Sequence, residues 1–288
     1  DDVVRKFKTL LEQIGEHPIL LRSSSLLEDN FNCAFSDKYD SVFLINQGSI
    51  KTRLEAFIQG LKKVHMSTYS PVPIIYRKDH HLIDFNEKMS VLVQKVVGRK
   101  FGDYFFPFAA GVAFSYSAYA KRPQMNKSDG IMRLVMGLGT RAVDRVGDDY
   151  ARMAHLGEPA PEYQKTDNET LNCTQQHVDV LNLVTVELES MPVSEMAART
   201  DHPDIKLAIT QYDSNSEAPS EDKPGVTFET LLEKKGLRRL MKKTVKKLEK
   251  AYGCPVDVEF VWDENKLYIV QCRPLSIPKE QKVEWSDD

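Results

Sequence analysis

Apolar residues recur at helical spacing near the start of the chain, at Val3, Val4, Phe7, Leu10, Leu11 and Ile14. Gly15 and Pro18 follow, so the pattern predicts an amphipathic helix that stops there, since glycine favours helix ends and proline cannot continue a helix. "PILLRSSS" (18–25) then reads as a buried strand running into a polar loop. Ser49 is a candidate N-cap for a second helix whose inner face carries Ile50, Leu54, Phe57, Ile58, Leu61 and Val64. Further on, "MSVLVQKVV" (89–97) and "GVAFS" (111–115) have the apolar, β-branched character of central strands. "IMRLVMGLGT" (131–140) reads as a strand entering a glycine turn, and "HVDVLNLVTVELES" (177–190) as a strand pair.

The polar, Pro/Gly-punctuated stretch "DSNSEAPSEDKPG" (213–225) predicts a linker. Beyond it, Phe228, Leu231, Leu232, Leu237, Leu240, Met241, Val245 and Leu248 predict one amphipathic helix, and nine of the residues from Glu233 to Lys250 are Lys or Arg. Such a run forms either a solvated face whose lysine stems cover apolar neighbours or a surface for an acidic partner. The lack of interleaved aromatic residues favours the solvated face.

Alternation in "VDVEFVWDENKLYIVQCRP" (256–274) predicts a hairpin. Asp257, Glu259 and Val261 share one face of its first strand, and Leu267, Ile269, Gln271 and Arg273 share one face of its second. A three-residue loop at Asp263, Glu264 and Asn265 would pair Trp262 with Lys266 and set Glu259 opposite Ile269, with Gln271 on the adjacent diagonal. Glu259, Gln271 and Arg273 would then lie on one surface, whereas a two-residue loop would break that arrangement. A carboxylate and an amide oxygen are the hard donors that Mg²⁺ takes in ones or twos, with water and phosphate oxygens completing its shell. Arg273 offers planar donors suited to a phosphate. The plainer alternative is a cross-strand pair of Glu259 with Arg273, and spacing alone leaves both readings open.

Composition narrows the field. A chain of 288 residues that is 41% hydrophobic can bury a core as one large domain or two sub-domains. A formal net charge of −3 with 28% charged residues provides no overall field to draw it to nucleic acid or an anionic membrane. Cys33, Cys173, Cys254 and Cys272 form no C-x-x-C, which suggests neither a zinc site nor a disulfide framework and fits a reducing compartment. No apolar run approaches the roughly 18 residues of a membrane span, so a cytoplasmic protein with no membrane partner is expected. His80 and His81 are adjacent and would diverge on a helix or strand, so exposed loop residues are expected there rather than a metal pair.

"DVEFVWDENKLYIVQCRP" resembles the segment that closes the ATP-binding domain in the phosphoenolpyruvate synthase and pyruvate phosphate dikinase family. Four upstream blocks extend the resemblance in family order: "LLRSSSLLEDN" (20–30), "VLVQKVV" (91–97), "AGVAFS" (110–115) and "GLG" (137–139). The resemblance implies an α+β, ATP-grasp-type nucleotide-binding domain with two lobes, residues 1–97 and 98–288, the second carrying the hairpin. It implies ATP as substrate with Mg²⁺ held by Glu259 and Gln271. Arg22 and Arg273 would hold the triphosphate during transfer, and Gln94, Lys95, Val96 and Val97 would border the adenine, chiefly through backbone groups. Phosphoryl transfer depends mainly on positioning and charge neutralisation, and arginine with Mg²⁺ supplies both.

The implied activity passes a phosphoryl group from ATP to a histidine and thence to pyruvate. The implied partners are a phosphohistidine domain and a pyruvate-binding domain of the same longer polypeptide. The family's upstream lysine segment and its phosphohistidine motif have no counterpart here, so the chain is expected to be an incomplete fragment of such an enzyme. Within the matched part, "FSDKYDSV" (35–42) replaces a glycine-bearing block, Thr140 stands where glutamate is usual, and "AYAKRPQ" (118–124) replaces a glycine turn. These departures keep open an alternative, a non-catalytic nucleotide-binding or regulatory module of the same fold. Arg141 and Arg145, after the glycine turn, are further candidates for anion binding. An interaction surface on the basic helix is a third, weaker option.

Overall fold

Alternating burial along the strand Ile19–Ser25 (β1) sends Ile19 and Leu21 into one apolar layer and turns Leu20, Arg22 and Ser24 to the opposite face. The computed structural model describes residues 2–28, 38–117, 126–143, 149–157, 174–199, 204–210, 225–233 and 236–275. The first layer is closed by two helices, Asp2–Ile14 (α1) and Ile50–Ser67 (α2), packed around Leu11, Ile19, Leu21, Phe57 and Val64. The rings of Phe7 and Phe57 meet edge to face at 5.1 Å. Ser49 caps α2 as its sequence suggests, its hydroxyl accepting from the Thr52 N–H at 3.2 Å. Strands Val42–Leu44 (β2) and Met89–Lys95 (β3) flank β1 to complete a three-stranded sheet, and helix Pro71–Asp79 (α3) lies between them in sequence.

The remaining strands, in chain order, are Arg99–Phe101 (β4), Tyr104–Phe106 (β5), Ala109–Phe114 (β6), Ile131–Met136 (β7), Arg152–His155 (β8), His177–Asn182 (β9) and Glu187–Pro192 (β10). They are followed by Ile209–Thr210 (β11), Gly225–Val226 (β12), Val256–Asp263 (β13) and Lys266–Pro274 (β14). Among the described residues they make a four-stranded sheet in the order β10-β9-β5-β4, a two-stranded ribbon of β11 and β12, and a five-stranded sheet in the order β14-β13-β6-β7-β8. All the pairings are antiparallel. The short helices Thr140–Val143 (α4), Val193–Arg199 (α5), Ile205–Ala208 (α6) and Glu229–Glu233 (α7) precede Leu237–Tyr252 (α8). This is a mixed α+β architecture, consistent with the expected ATP-grasp-type fold.

The largest core lies on one face of the five-stranded sheet, where Met132, Leu134, Val256, Val258, Phe260 and Trp262 meet Leu237, Met241 and Val245 of α8. The apolar period from Phe228 to Leu248 belongs to two helices, α7 and α8, and not to one. Gly236 at φ +69 breaks it, yet Leu231, Leu232, Leu237, Met241 and Val245 all bury against the same core, so the spacing hides the break. Of the linker expected at 213–225, residues 213–224 lie outside the described residues, and Gly225 belongs to β12. None of the described helices is long and apolar enough to cross a membrane.

Candidate functional site

The hairpin turns through Glu264 and Asn265, at φ +50 and +57, so its loop has two residues and Asp263 pairs with Lys266. Two residues in the left-handed region match the right-handed twist of the flanking strands, which is why this turn closes shorter than the three-residue loop expected. A regular ladder from such a turn would set Glu259 opposite Val270 and send Gln271 to the other face. Instead the register shifts between Phe260, which pairs with Ile269, and Glu259, which pairs with Gln271, leaving Val270 as the extra residue of a β-bulge. The expected Trp262–Lys266 and Glu259–Ile269 pairs are therefore absent. Leu267 packs with the main core rather than sharing the surface of Gln271 and Arg273. The bulge nevertheless places Glu259 and Gln271 directly side by side. Gln94 of β3 steadies it, its Nε2 donating to the Val270 carbonyl at 3.2 Å.

Arg22 reaches this pair from the three-stranded sheet. Its Nη2 donates to Glu259 Oε1 at 2.8 Å and also to Gln271 Oε1. The side chains of Arg22 and Glu259 are only 15% and 19% exposed, so the ion pair is well shielded. Arg273 lies on the next rung of the same face and donates through Nε to Asp257 Oδ2, its cross-strand neighbour, at 3.1 Å. The plain pairing of Glu259 with Arg273 is not what forms: each has its own partner, Arg22 and Asp257 respectively.

The other candidates divide. Lys95 ends β3 opposite Ile19 and is exposed. Val96 is buried with Ile45, Phe105, Leu138 and Leu181, and its N–H donates to the Pro18 carbonyl at 3.0 Å. The Val96 carbonyl accepts from His17 Nε2 at 2.9 Å, and Val97 beside it is partly exposed. The backbone of Val96 thus already ties β3 to the segment before β1.

At the glycine turn, Gly137 has φ +81, and a Cβ there would lie 2.4 Å from Val178 Cγ1. Leu138 donates its N–H to the Asp179 carbonyl at 3.0 Å, and Thr140 donates its hydroxyl to Asp179 Oδ2 at 2.6 Å. Arg141 bonds Asp179 at 2.9 Å, Asp149 at 2.6 Å and Ser190 at 2.7 Å. Arg141 thus clamps the turn to β9. Arg145 lies outside the described residues, as do 35–37 of the substituted block and "AYAKRPQ".

His80 is exposed and stacks on Tyr76, with ring centroids 3.9 Å apart, while exposed His81 follows at φ +56. The described residues hold no group of three His, Cys, Asp or Glu that could bind a metal. Glu259 and Gln271 still suit Mg²⁺, which needs few protein ligands. Their two oxygens converge on one cationic group, Arg22, so the spot between them already accommodates a positive charge.

The chain matches the family profile of the pyruvate phosphate dikinase AMP/ATP-binding domain over residues 1–288, and it belongs to that family. It is 23% identical over 284 residues to a probable phosphoenolpyruvate synthase of Methanocaldococcus jannaschii, covering 98% of this chain and 19% of that protein. It is 22% identical over 287 residues to a probable phosphoenolpyruvate synthase of Archaeoglobus fulgidus, covering 98% of this chain and 30% of that protein. To a rifampicin phosphotransferase of Bacillus cereus it is 22% identical over 276 residues, covering 96% and 25%. The chain thus spans between 19% and 30% of the length of these relatives.

Proposed function

We propose that the chain binds Mg·ATP where β1 meets the β13–β14 hairpin, and that it serves as the nucleotide-binding part of a phosphotransferase of the phosphoenolpyruvate synthase type. The reading rests chiefly on one observation, the convergence of Glu259 and Gln271 oxygens on Arg22 across two sheets. Magnesium bound by those oxygens would neutralise phosphate charge. Arg22 would exchange its contacts there for a phosphate oxygen. Arg273, oriented by Asp257, would hold the triphosphate from the neighbouring rung. Gln94, Lys95, Val96 and Val97 would border the adenine, with residues 1–97 and 98–288 as the two lobes. The phosphoryl group would pass to a histidine of another domain of a longer polypeptide and then to pyruvate.

Titration calorimetry tests the site. Mg·ATP should bind the parent protein, and Glu259→Ala should weaken that binding about tenfold or more while abolishing its dependence on magnesium. Unchanged affinity and metal dependence would refute the assignment.

A second reading, a non-catalytic nucleotide-binding module, draws on the Thr140 and Arg141 contacts, which commit the glycine turn to a structural role. Label transfer from ATP to a histidine of the full-length protein favours the enzyme. Tight Mg·ATP binding without transfer favours the module.

A further inference from the structure

Arg133, on β7, stands on the same rung as the candidate metal ligands. Val112 of β6 pairs with Arg133 on one side and with Glu259 on the other, and Glu259 pairs with Gln271. Directly paired residues of a sheet point to the same face, so Arg133 shares the surface of Glu259, Gln271, Asp257 and Arg273. Two strand spacings, about 10 Å, separate its backbone from that of Glu259. A guanidinium and a bound triphosphate together span that distance.

The side chain is directed rather than loose. Its guanidinium carbon lies 5.8 Å from the centroid of the Phe114 ring, and Phe114 is the β6 partner of Asp257. The charge therefore leans across β6 toward the rung that carries Arg273. Arg22, Arg141 and Arg273 each hold a carboxylate. Arg133 has no carboxylate partner among the described residues, although it is partly buried against an aromatic ring. A partly desolvated guanidinium with only a π-face for company is a poor resting arrangement and a ready one for an anion.

We propose that Arg133 is a further phosphate-binding residue of this cleft, meeting the nucleotide's phosphates from the β7 side while Arg273 meets them from β14. The proposal rests on the nucleotide reading above and adds to it a residue that neither the motifs nor the glycine turn pointed to.

Calorimetry on the full chain, with Mg·ATP and with inorganic triphosphate as probes, tests it. Arg133→Gln should weaken both ligands about tenfold to a hundredfold, the effect of removing a charge-assisted contact. Arg133→Lys should weaken them less, because an ammonium keeps the charge but loses the planar fork. Parent-like affinity in Arg133→Gln, with an unchanged melting temperature, overturns the proposal and leaves the nucleotide reading standing. If the parent binds neither probe, the nucleotide reading fails and takes this proposal with it. Should Arg133→Gln not fold, Arg133→Lys decides: a severalfold loss supports the contact and parent-like affinity contradicts it.

Discussion

Both contacts that Arg22 makes in the site run through Nη2, which leaves Nε and Nη1 without partners among the described residues. Those donors could take a phosphate oxygen while the carboxylate contact is still breaking. In the resting protein Arg22 also offsets the charge of Glu259, so the two side chains should be energetically coupled. A double-mutant cycle of Arg22→Ala and Glu259→Ala, read by chemical denaturation without nucleotide, should give a coupling of about 1–2 kcal/mol. Additive effects would mean that the pair does not hold the sheets together. The residue types of this site were legible in the sequence, because a carboxylate, an amide and an arginine on one ribbon are unusual filling for a plain hairpin. Their partners were not legible. Arg22 lies 237 positions from Glu259, and Arg133 enters the face only once β6 is known to lie between β7 and β13.

At the scale of elements, the hairpin shows how two local irregularities can combine to give the expected face. Alternation correctly placed Glu259 away from Phe260 and Trp262, but neither the two-residue turn nor the bulge at Val270 follows from periodicity. Strands β4 and β5 are three residues each, too short to show any period, and so were not expected. Strand β6 is the central spacer of the site, and its Gly111 reflects that position. A Cβ on Gly111 would lie 2.0 Å from the Arg133 carbonyl oxygen and 2.9 Å from Phe260 Cζ. Gly111→Ala should therefore cost at least about 2 kcal/mol by denaturant titration, because the backbone of the adjacent strand would have to move. A loss below about 0.5 kcal/mol would show that β7 yields more easily than this packing implies.

The whole molecule brings two apolar layers together along a seam, and the candidate site lies on that seam. Contacts that cross it among the described residues include Arg22 with Glu259 and Gln271, Gln94 with the Val270 carbonyl, the edge of the His17 ring against Phe105, and a small cluster in which Leu20 and Phe43 pack with Phe105, Leu138 and Leu181. A seam of this kind is invisible to local patterning, because the residues that meet across it lie far apart in the chain. The central claim is that Glu259 and Gln271 hold the metal of a bound nucleotide at this seam. Electron paramagnetic resonance with Mn²⁺ replacing Mg²⁺ tests it most directly. In the presence of ATP, the parent protein should deplete the free Mn²⁺ signal beyond what ATP alone does, and Glu259→Ala with Gln271→Ala should abolish the extra depletion. Equal depletion by the parent and the double variant would contradict the account.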